Sequence, residues 1–194
     1  MTEKKEPQVL DVRSVEAWEE WLETHGPDHD EGVWLMLPKK GNDESSLRYE
    51  AAVESALCFG WIDGQGKRLD DAWSLQRMTP RRKRSIWSKI NVARAERLIA
   101  EGRMRPAGLA EVERAKADGR WEQAYDAPST AEVPADFLEA LERAPEAKAF
   151  YETLTKRNTY PIVHRLQTAR TPETRARRIK AIVEQFERGE KFYD

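Results

Sequence analysis

The sequence predicts an α+β fold, in which a small three-stranded antiparallel sheet is packed with helices and followed by a mostly helical C-terminal region. A short apolar run at residues 32–37 ends at a proline, as a buried strand does. Residues 62–69 and 72–78 are predicted to form a hairpin turned at Asp70-Asp71, because Trp73, Leu75 and Arg77 alternate with Ser74, Gln76 and Met78 in the second arm. Elsewhere the apolar residues recur at the spacing of an amphipathic helix.

The composition is that of a soluble globular protein with one packed core. The chain has 194 residues, of which 39% are hydrophobic and 35% charged, and it contains no apolar run long enough to cross a membrane. The N-terminus lacks the apolar segment of a signal peptide, and a single cysteine cannot form an internal disulfide. We therefore expect a cytoplasmic protein.

The net charge of -2 conceals an uneven distribution of charge along the chain. Residues 1–63 carry 6 Lys/Arg against 15 Asp/Glu, whereas residues 64–120 carry 15 against 7. The acidic third and the basic third are expected to attract each other in the folded chain, or the basic third faces an anionic partner.

The first two helices are predicted from the residues that begin and end them. Residues 1–10 are polar and predict a frayed tail. Ser14 is a good N-cap for a helix that Gly26-Pro27 stops. A second helix is predicted from Tyr49 to Gly60.

The hairpin follows this helix. Two glycines in its first arm, Gly64 and Gly66, indicate a bulge or a close approach to the backbone. Thr79-Pro80 is expected to end the second arm, and Ser85 to cap a helix over residues 86–101.

The remaining chain is predicted to be helical. Pro106 opens a helix that runs to Gly119, and the Pro/Ser/Thr-rich segment 127–134 is the best candidate for a boundary. We therefore predict an α+β core over residues 1–126 and a helical extension over 127–194, packed on the core as one unit.

A candidate ligand-binding site is predicted in a groove between the hairpin and the helix that contains Trp87. Its residues are the aromatic, acidic and basic side chains of this region, together with two hydroxyls and an amide: Trp61, Asp63, Arg77, Thr79, Arg81, Ser85, Trp87, Asn91 and Arg94. Guanidinium groups and hydroxyls that precede a helix N-terminus are suited to binding an anion, because all of them donate hydrogen bonds.

Each group in this site also has a structural interpretation. Asp63 could act functionally, as a general base or as a contact to a ligand. Alternatively, it is a turn residue whose carboxylate accepts hydrogen bonds from local backbone amides. The segment Arg77–Arg84 has five cations in eight residues, and either binds an anion or is a solvated loop paired with the acidic N-terminal third. Trp61, Trp73 and Trp87 beside this segment would be the stacking platforms of a nucleic-acid binder, although a pI of about 6.1 argues against that function.

The common cofactor and metal signatures are absent from the sequence. It has no Walker loop, Rossmann glycine pattern, HExxH motif or zinc-type cysteine pair, so we predict neither a cofactor nor a metal site. Cys58 has no neighbouring histidine motif and is interpreted as a core residue.

Three unusual sequence motifs occur in a specific order: ALCFGWIDGQ, then LQRMTPRRKRSIWSKINVARAERLIAEGRM, then PAG. In these motifs the chain resembles the YdeI/OmpD-associated family, also labelled bacteriocin-protection proteins. The resemblance runs from about Ser14 to Ala115 and extends more loosely over the C-terminal helices. The resemblance implies a small α+β bacterial protein without agreed catalytic residues, linked to bacteriocin or stress resistance and to an outer-membrane porin.

Three functions are compatible with these observations. The first is a non-enzymatic binding or stress-protection protein that recognises a small anionic ligand or a protein partner. The second is an enzyme that uses Asp63 as a base and the arginines as an anion clamp. The third is weak nucleic-acid binding. The sequence does not determine the ligand or the oligomeric state.

Overall fold

The computed structural model describes residues 7–193 and confirms the α+β class. Within this range lie eight α-helices and one four-stranded sheet. The strands are β1 (Val9–Leu10), β2 (Val33–Pro38), β3 (Trp61–Arg68) and β4 (Trp73–Pro80). The helices are α1 (Val15–Thr24), α2 (Tyr49–Cys58), α3 (Lys89–Ala100), α4 (Pro106–Ala117), α5 (Ala135–Glu142), α6 (Pro145–Tyr151), α7 (Lys156–Gln167) and α8 (Pro172–Glu187).

The sheet is mixed and has four strands in the order β1-β2-β4-β3, so the prediction of a three-stranded antiparallel sheet is wrong in this detail. The additional strand, β1, pairs in parallel with β2, and Trp34 N donates to Gln8 O at 2.8 Å. Part of the predicted frayed tail is therefore a strand, while residues 1–6 lie outside the described range. A two-residue strand shows no alternation, which is why the sequence pattern missed it.

The predicted hairpin is confirmed, with its turn at Asp70-Asp71 and a register shift between Asp63 and Gly66. Its second arm does not end at Thr79, because Trp61 still pairs with Pro80 and Arg81 N donates to Gly60 O at 2.9 Å. Proline is tolerated here because it lies in the last position of the strand.

The helix caps match the sequence in two of three places. Ser14 Oγ accepts from Ala17 N at 3.2 Å, and α2 ends before Gly60, whose φ of +77° suits glycine. The predicted cap at Ser85 is wrong, because α3 begins only at Lys89. Ser85 Oγ instead accepts from Arg82 N at 2.9 Å within a turn.

The chain divides into two compact units. The N-terminal unit comprises the chain up to Ser85 and Asn91–Trp121, and the C-terminal unit comprises Ile86–Ile90 and the chain from Glu122 onward. The predicted boundary after residue 126, with the extension packed on the core, stays a prediction. No helix within the described range is long and apolar enough to cross a membrane.

The core of the N-terminal unit is built where α1 and α2 pack against the sheet. Trp18 is fully buried and donates through Nε1 to Ala52 O at 3.0 Å, which ties α1 to α2. The C-terminal unit has its own core between its helices. That core contains Phe137, Leu141, Ala147, Ile162, Leu166, Ile182 and Phe186.

Candidate functional site

An open cleft of about 530 Å³ lies in the N-terminal unit, where the end of α1, the α2–β3 junction, the end of β4 and the start of α4 meet. Its apolar walls are Leu22, Pro27, Phe59, Trp61, Pro80 and Pro106. A concave, mostly apolar site with a few polar groups is the usual form of a small-molecule site. Trp61 and Arg81, two of the nine predicted residues, line this cleft.

The indole of Trp61 is held in place by other aromatic rings. Its ring meets Trp18 and Trp21 edge-on, at centroid distances of 6.3 and 5.8 Å. Trp61 lines the cleft, and its Nε1 donates no hydrogen bond to any described residue. The cleft therefore presents a rigid indole donor.

The cations of the cleft come from two elements. Arg81 follows β4 and is buried, with its backbone fixed to Gly60. Arg105 is the exposed residue before α4, and its guanidinium lies 5.6 Å from the Phe59 ring centre. Within residues 7–193 the Arg105 side chain makes no ion pair and no hydrogen bond, so its five N–H donors are free.

The start of α4 contributes a backbone donor, the N–H of Ala107, a residue that lines the cleft. Arg105 is the N-cap but provides no side-chain cap, so this N–H group has no acceptor within the helix. The N-terminus of this 12-residue helix also carries partial positive charge. The acidic groups at the cleft are Glu23, Asp30 and Glu111, of which Glu111 is paired with Arg114.

Asp63, Asn91 and Arg94 form a separate polar cluster with Tyr49, a residue that the sequence did not identify as functional. Tyr49 Oη donates to Asp63 Oδ2 at 2.7 Å, and Arg94 Nη1 donates to Asn91 Oδ1 at 3.2 Å. Burial and the bond to Asp63 raise the pKa of Tyr49 well above its ordinary value, while the charge of Arg94 acts in the opposite direction. Tyr49 therefore stays protonated and donates.

Arg77 and Thr79 lie on the other face of the sheet from Asp63. On the sheet, Asp63 of β3 is paired with Met78 of β4. Arg77 precedes Met78 on β4 and is paired with Trp34 of β2. Because successive strand residues point to opposite faces, Asp63 and Arg77 cannot line one groove as predicted. The Arg77 guanidinium donates to Glu31 O and lies 5.7 Å from the Trp34 ring centre. Burial lowers the pKa of Arg77.

The last two predicted residues are structural in this fold. Ser85 Oγ completes the turn with Arg82, and Ser85 O accepts from Arg120 Nη1 at 2.6 Å. Trp87 belongs to the C-terminal unit, where its carbonyl accepts from Tyr125 N at 3.0 Å. It is 1% exposed.

The basic run contacts the acidic N-terminal third through Arg77, whose guanidinium donates to Glu31 O and lies in the field of the Glu31 carboxylate. Arg82, Lys83 and Arg84 are exposed and make no ion pair within the described range. Later arginines also pair with the acidic third: Arg97 pairs with Glu54, and Arg103 Nη2 lies 3.4 Å from Glu19 Oε1. The attraction between the two thirds is thus present, and much of it comes from α3 and the loop after it.

The cysteine has the structural role that was predicted. Cys58 is 2% exposed, and burial raises the pKa of its thiol to about 11, so it is protonated at neutral pH and a poor nucleophile. Among residues 7–193 no group of three or more His, Cys, Asp or Glu side chains is placed to hold a metal ion.

Sequence reasoning missed Phe59, Arg105 and Tyr49. A signal existed for Arg105, because Arg-Pro before an apolar helix pattern places a cation at a helix N-terminus. No comparable signal pointed to Tyr49, since its bond to Asp63 depends on where α2 packs against β3.

Two family models match the chain. The model described as "Domain of unknown function (DUF8412)" matches residues 10–111, and the model described as "Bacteriocin-protection, YdeI or OmpD-Associated" matches residues 130–189. The second match confirms the suspected family, but over the C-terminal helices, whereas the segments that carried the resemblance lie entirely within the first match. No curated protein and no solved structure matches the chain.

Proposed function

The chain belongs to the DUF8412 family, a domain of unknown function, and we propose that it is a non-enzymatic binding protein that takes up a small anionic ligand in the cleft of the N-terminal unit. The observation that carries the proposal is a set of donors on residues that line this cleft. Trp61 Nε1, the Arg105 guanidinium and the N–H group of Ala107 have no acceptor in the described chain.

An anionic group satisfies these donors together. Guanidinium N–H groups, an indole N–H and a helix N-terminus all favour an acceptor that carries negative charge. The aromatic and proline walls would hold an apolar part of the same ligand. The acids at the cleft, Glu23 and Asp30, favour a ligand that is not a bare polyanion, since like charges repel.

The competing functions have less support. An enzyme with Asp63 as base and the arginines as an anion clamp would lose Arg77 from that clamp, because Asp63 and Arg77 lie on opposite faces of the sheet. Stacking of nucleic-acid bases needs exposed rings, and Trp61, Trp73 and Trp87 are 3%, 8% and 1% exposed.

The description of the second family, which names bacteriocin protection, supports a protective role for such binding. We propose that the protein acts in the cytoplasm and sequesters its ligand or presents it to a partner. Binding without turnover distinguishes this role from catalysis.

The test is a thermal-shift screen with small carboxylates and phosphate monoesters, followed by calorimetry on the tightest member. A ligand that binds only the native state at 100 times its Kd adds about 2.7 kcal/mol, or about 5 to 10 °C in a chain of this size. Arg105→Gln should weaken binding about tenfold or more, because it removes a charged hydrogen bond.

Arg82→Gln is the matched control, since Arg82 is an exposed arginine of the same unit that does not line the cleft. Unchanged affinity in Arg105→Gln, or equal losses in both variants, would reject the cleft as the site. Conversion of the ligand to a product would reject the non-enzymatic role.

A further inference from the structure

A second recess, of about 420 Å³, lies between α7 and α8 in the C-terminal unit. Its polar lining consists of Arg165, Arg178, His164, Thr168 and Gln185. No acidic side chain among residues 7–193 lines it. Within the described part of the chain, two arginines and a histidine thus line a concave surface that has no carboxylate.

The two arginines are anchored without being neutralised. Arg178 Nη1 donates to Arg165 O and lies 3.2 Å from Thr168 Oγ1, which fixes the guanidinium over the end of α7. The Arg165 guanidinium stacks 4.2 Å from the Phe192 ring centre and makes no side-chain hydrogen bond to a described residue. Neither arginine forms an ion pair within residues 7–193.

Other arginines of the same unit are paired with carboxylates, in contrast to the two arginines of the recess. Arg175, also on α8, is paired with Asp136 at 2.6 Å, and Arg188 is paired with Glu190 at 3.0 Å. The unit therefore provides carboxylates to arginines elsewhere, but not at the recess. Two adjacent unneutralised guanidinium groups repel each other unless an anion lies between them.

His164 adds an imidazole ring beside the two arginines. The Tyr125 ring meets its imidazole edge-on at 4.7 Å, and the Tyr160 ring lies at 6.1 Å. Burial, Arg178 and Arg165 lower the pKa of His164. Asp126, the carboxylate beside Tyr125, is engaged by Lys89 at 2.6 Å and by Gln167.

We propose that this recess binds a phosphate group of a small molecule, held by the guanidinium groups of Arg165 and Arg178 and by the imidazole of His164. A phosphate monoester carries up to two negative charges and three acceptor oxygens. It can therefore neutralise both arginines and accept hydrogen bonds from both guanidinium groups. A single carboxylate would leave one guanidinium charge unneutralised. The site is independent of the cleft in the N-terminal unit.

The experiment is an NMR titration of the three histidine side chains of the full chain with inorganic phosphate at constant ionic strength. The His164 resonances should shift in a saturable way, and the pKa of His164 should rise, because a bound anion favours the charged imidazole. His25 and His29, which lie in the N-terminal unit, serve as internal controls and should not respond.

Two variants and one competing anion complete the test. Arg165→Gln should raise the Kd for phosphate at least about tenfold, because it removes a charged donor. Arg177→Gln changes an exposed arginine of α8 outside the recess and should leave the Kd unchanged. A response that does not saturate, an equal response to acetate, or wild-type affinity in Arg165→Gln would overturn the proposal.

Discussion

The hydrogen bond from Tyr49 to Asp63 joins the first residue of α2 to β3. Asp63 is the one acidic residue among the predicted site residues. Tyr49 is partly exposed, yet burial of its hydroxyl and the neighbouring carboxylate both favour the protonated phenol. The bond therefore engages one oxygen of the Asp63 carboxylate, Oδ2, as an acceptor.

Removal of this hydroxyl should change stability in a pH-dependent way. Tyr49→Phe should lower the free energy of unfolding by about 1 kcal/mol at neutral pH, as measured by urea denaturation. Because the pKa of Tyr49 is raised in the native state, the unfolded state loses its proton first as the pH rises above about 10, and stability then declines. Tyr49→Phe should remove that part of the alkaline decline.

Asp63→Asn is the companion variant, since the amide oxygen can still accept from Tyr49. A smaller loss of stability than in Tyr49→Phe is expected. If both variants unfold like the wild type at all pH values, the bond has no structural role.

Trp61 and Arg81 were predicted from the sequence and line the proposed cleft, but the sequence could not separate Asp63 from Arg77. Their separation depends on a register in which Asp63 opposes Met78, and register is set by pairing across the sheet rather than by local pattern. Similarly, the tryptophans that looked like stacking platforms are buried because aromatic residues provide large apolar surfaces to a core.

At the scale of elements, the cleft depends on how closely the start of α4 approaches the end of α2. A Cβ at Gly108 would lie 2.3 Å from Cys58 O and 2.7 Å from Leu57 O, and Arg105 N donates to Cys58 O at 3.0 Å. The absence of a side chain at Gly108 thus permits the contact that places Arg105 beside Phe59 and Trp61.

Gly108→Ala tests this contact directly. Helix propensity alone predicts a gain of about 1 kcal/mol, but the clash with two backbone carbonyls should give a net loss of about 1 to 3 kcal/mol in urea unfolding. The control is Gly102→Ala, where φ is +69° but no atom lies within 4 Å of the new Cβ, so only the backbone strain of about 1 kcal/mol applies. A gain in stability for Gly108→Ala would contradict the close approach.

The elements that the sequence predicted well are those with their own periodicity and caps, such as α1 and the hairpin. It predicted α3 poorly, since the helix was expected from residue 86 and begins at Lys89. Ser88 pairs with Tyr125 there, and that contact joins residues far apart in sequence. Local signals do not report such pairing, which also explains the missed β1.

At the scale of the whole molecule, the chain passes between its two units three times. Helix α3 begins in the C-terminal unit and continues in the N-terminal unit, so neither unit is a continuous segment. The prediction that the C-terminal region is packed on the core as one unit can therefore be tested by cooperativity of unfolding.

Unfolding followed by two probes should give one transition. Six of the seven tryptophans lie in the N-terminal unit, so fluorescence reports mainly on that unit, whereas helical circular dichroism also reports on α5 to α8. We expect coincident urea midpoints, because the shared helix couples the units. Separate midpoints would contradict packing as one unit.

Hydrogen–deuterium exchange with the tightest ligand from the screen shows whether the cleft lined by Trp61 and Arg105 binds a small anion. Slower exchange is predicted at residues 59–61 and 105–109, with no change on β4 around Arg77. Protection that is absent from these segments, or confined to α7 and α8, would contradict binding in this cleft.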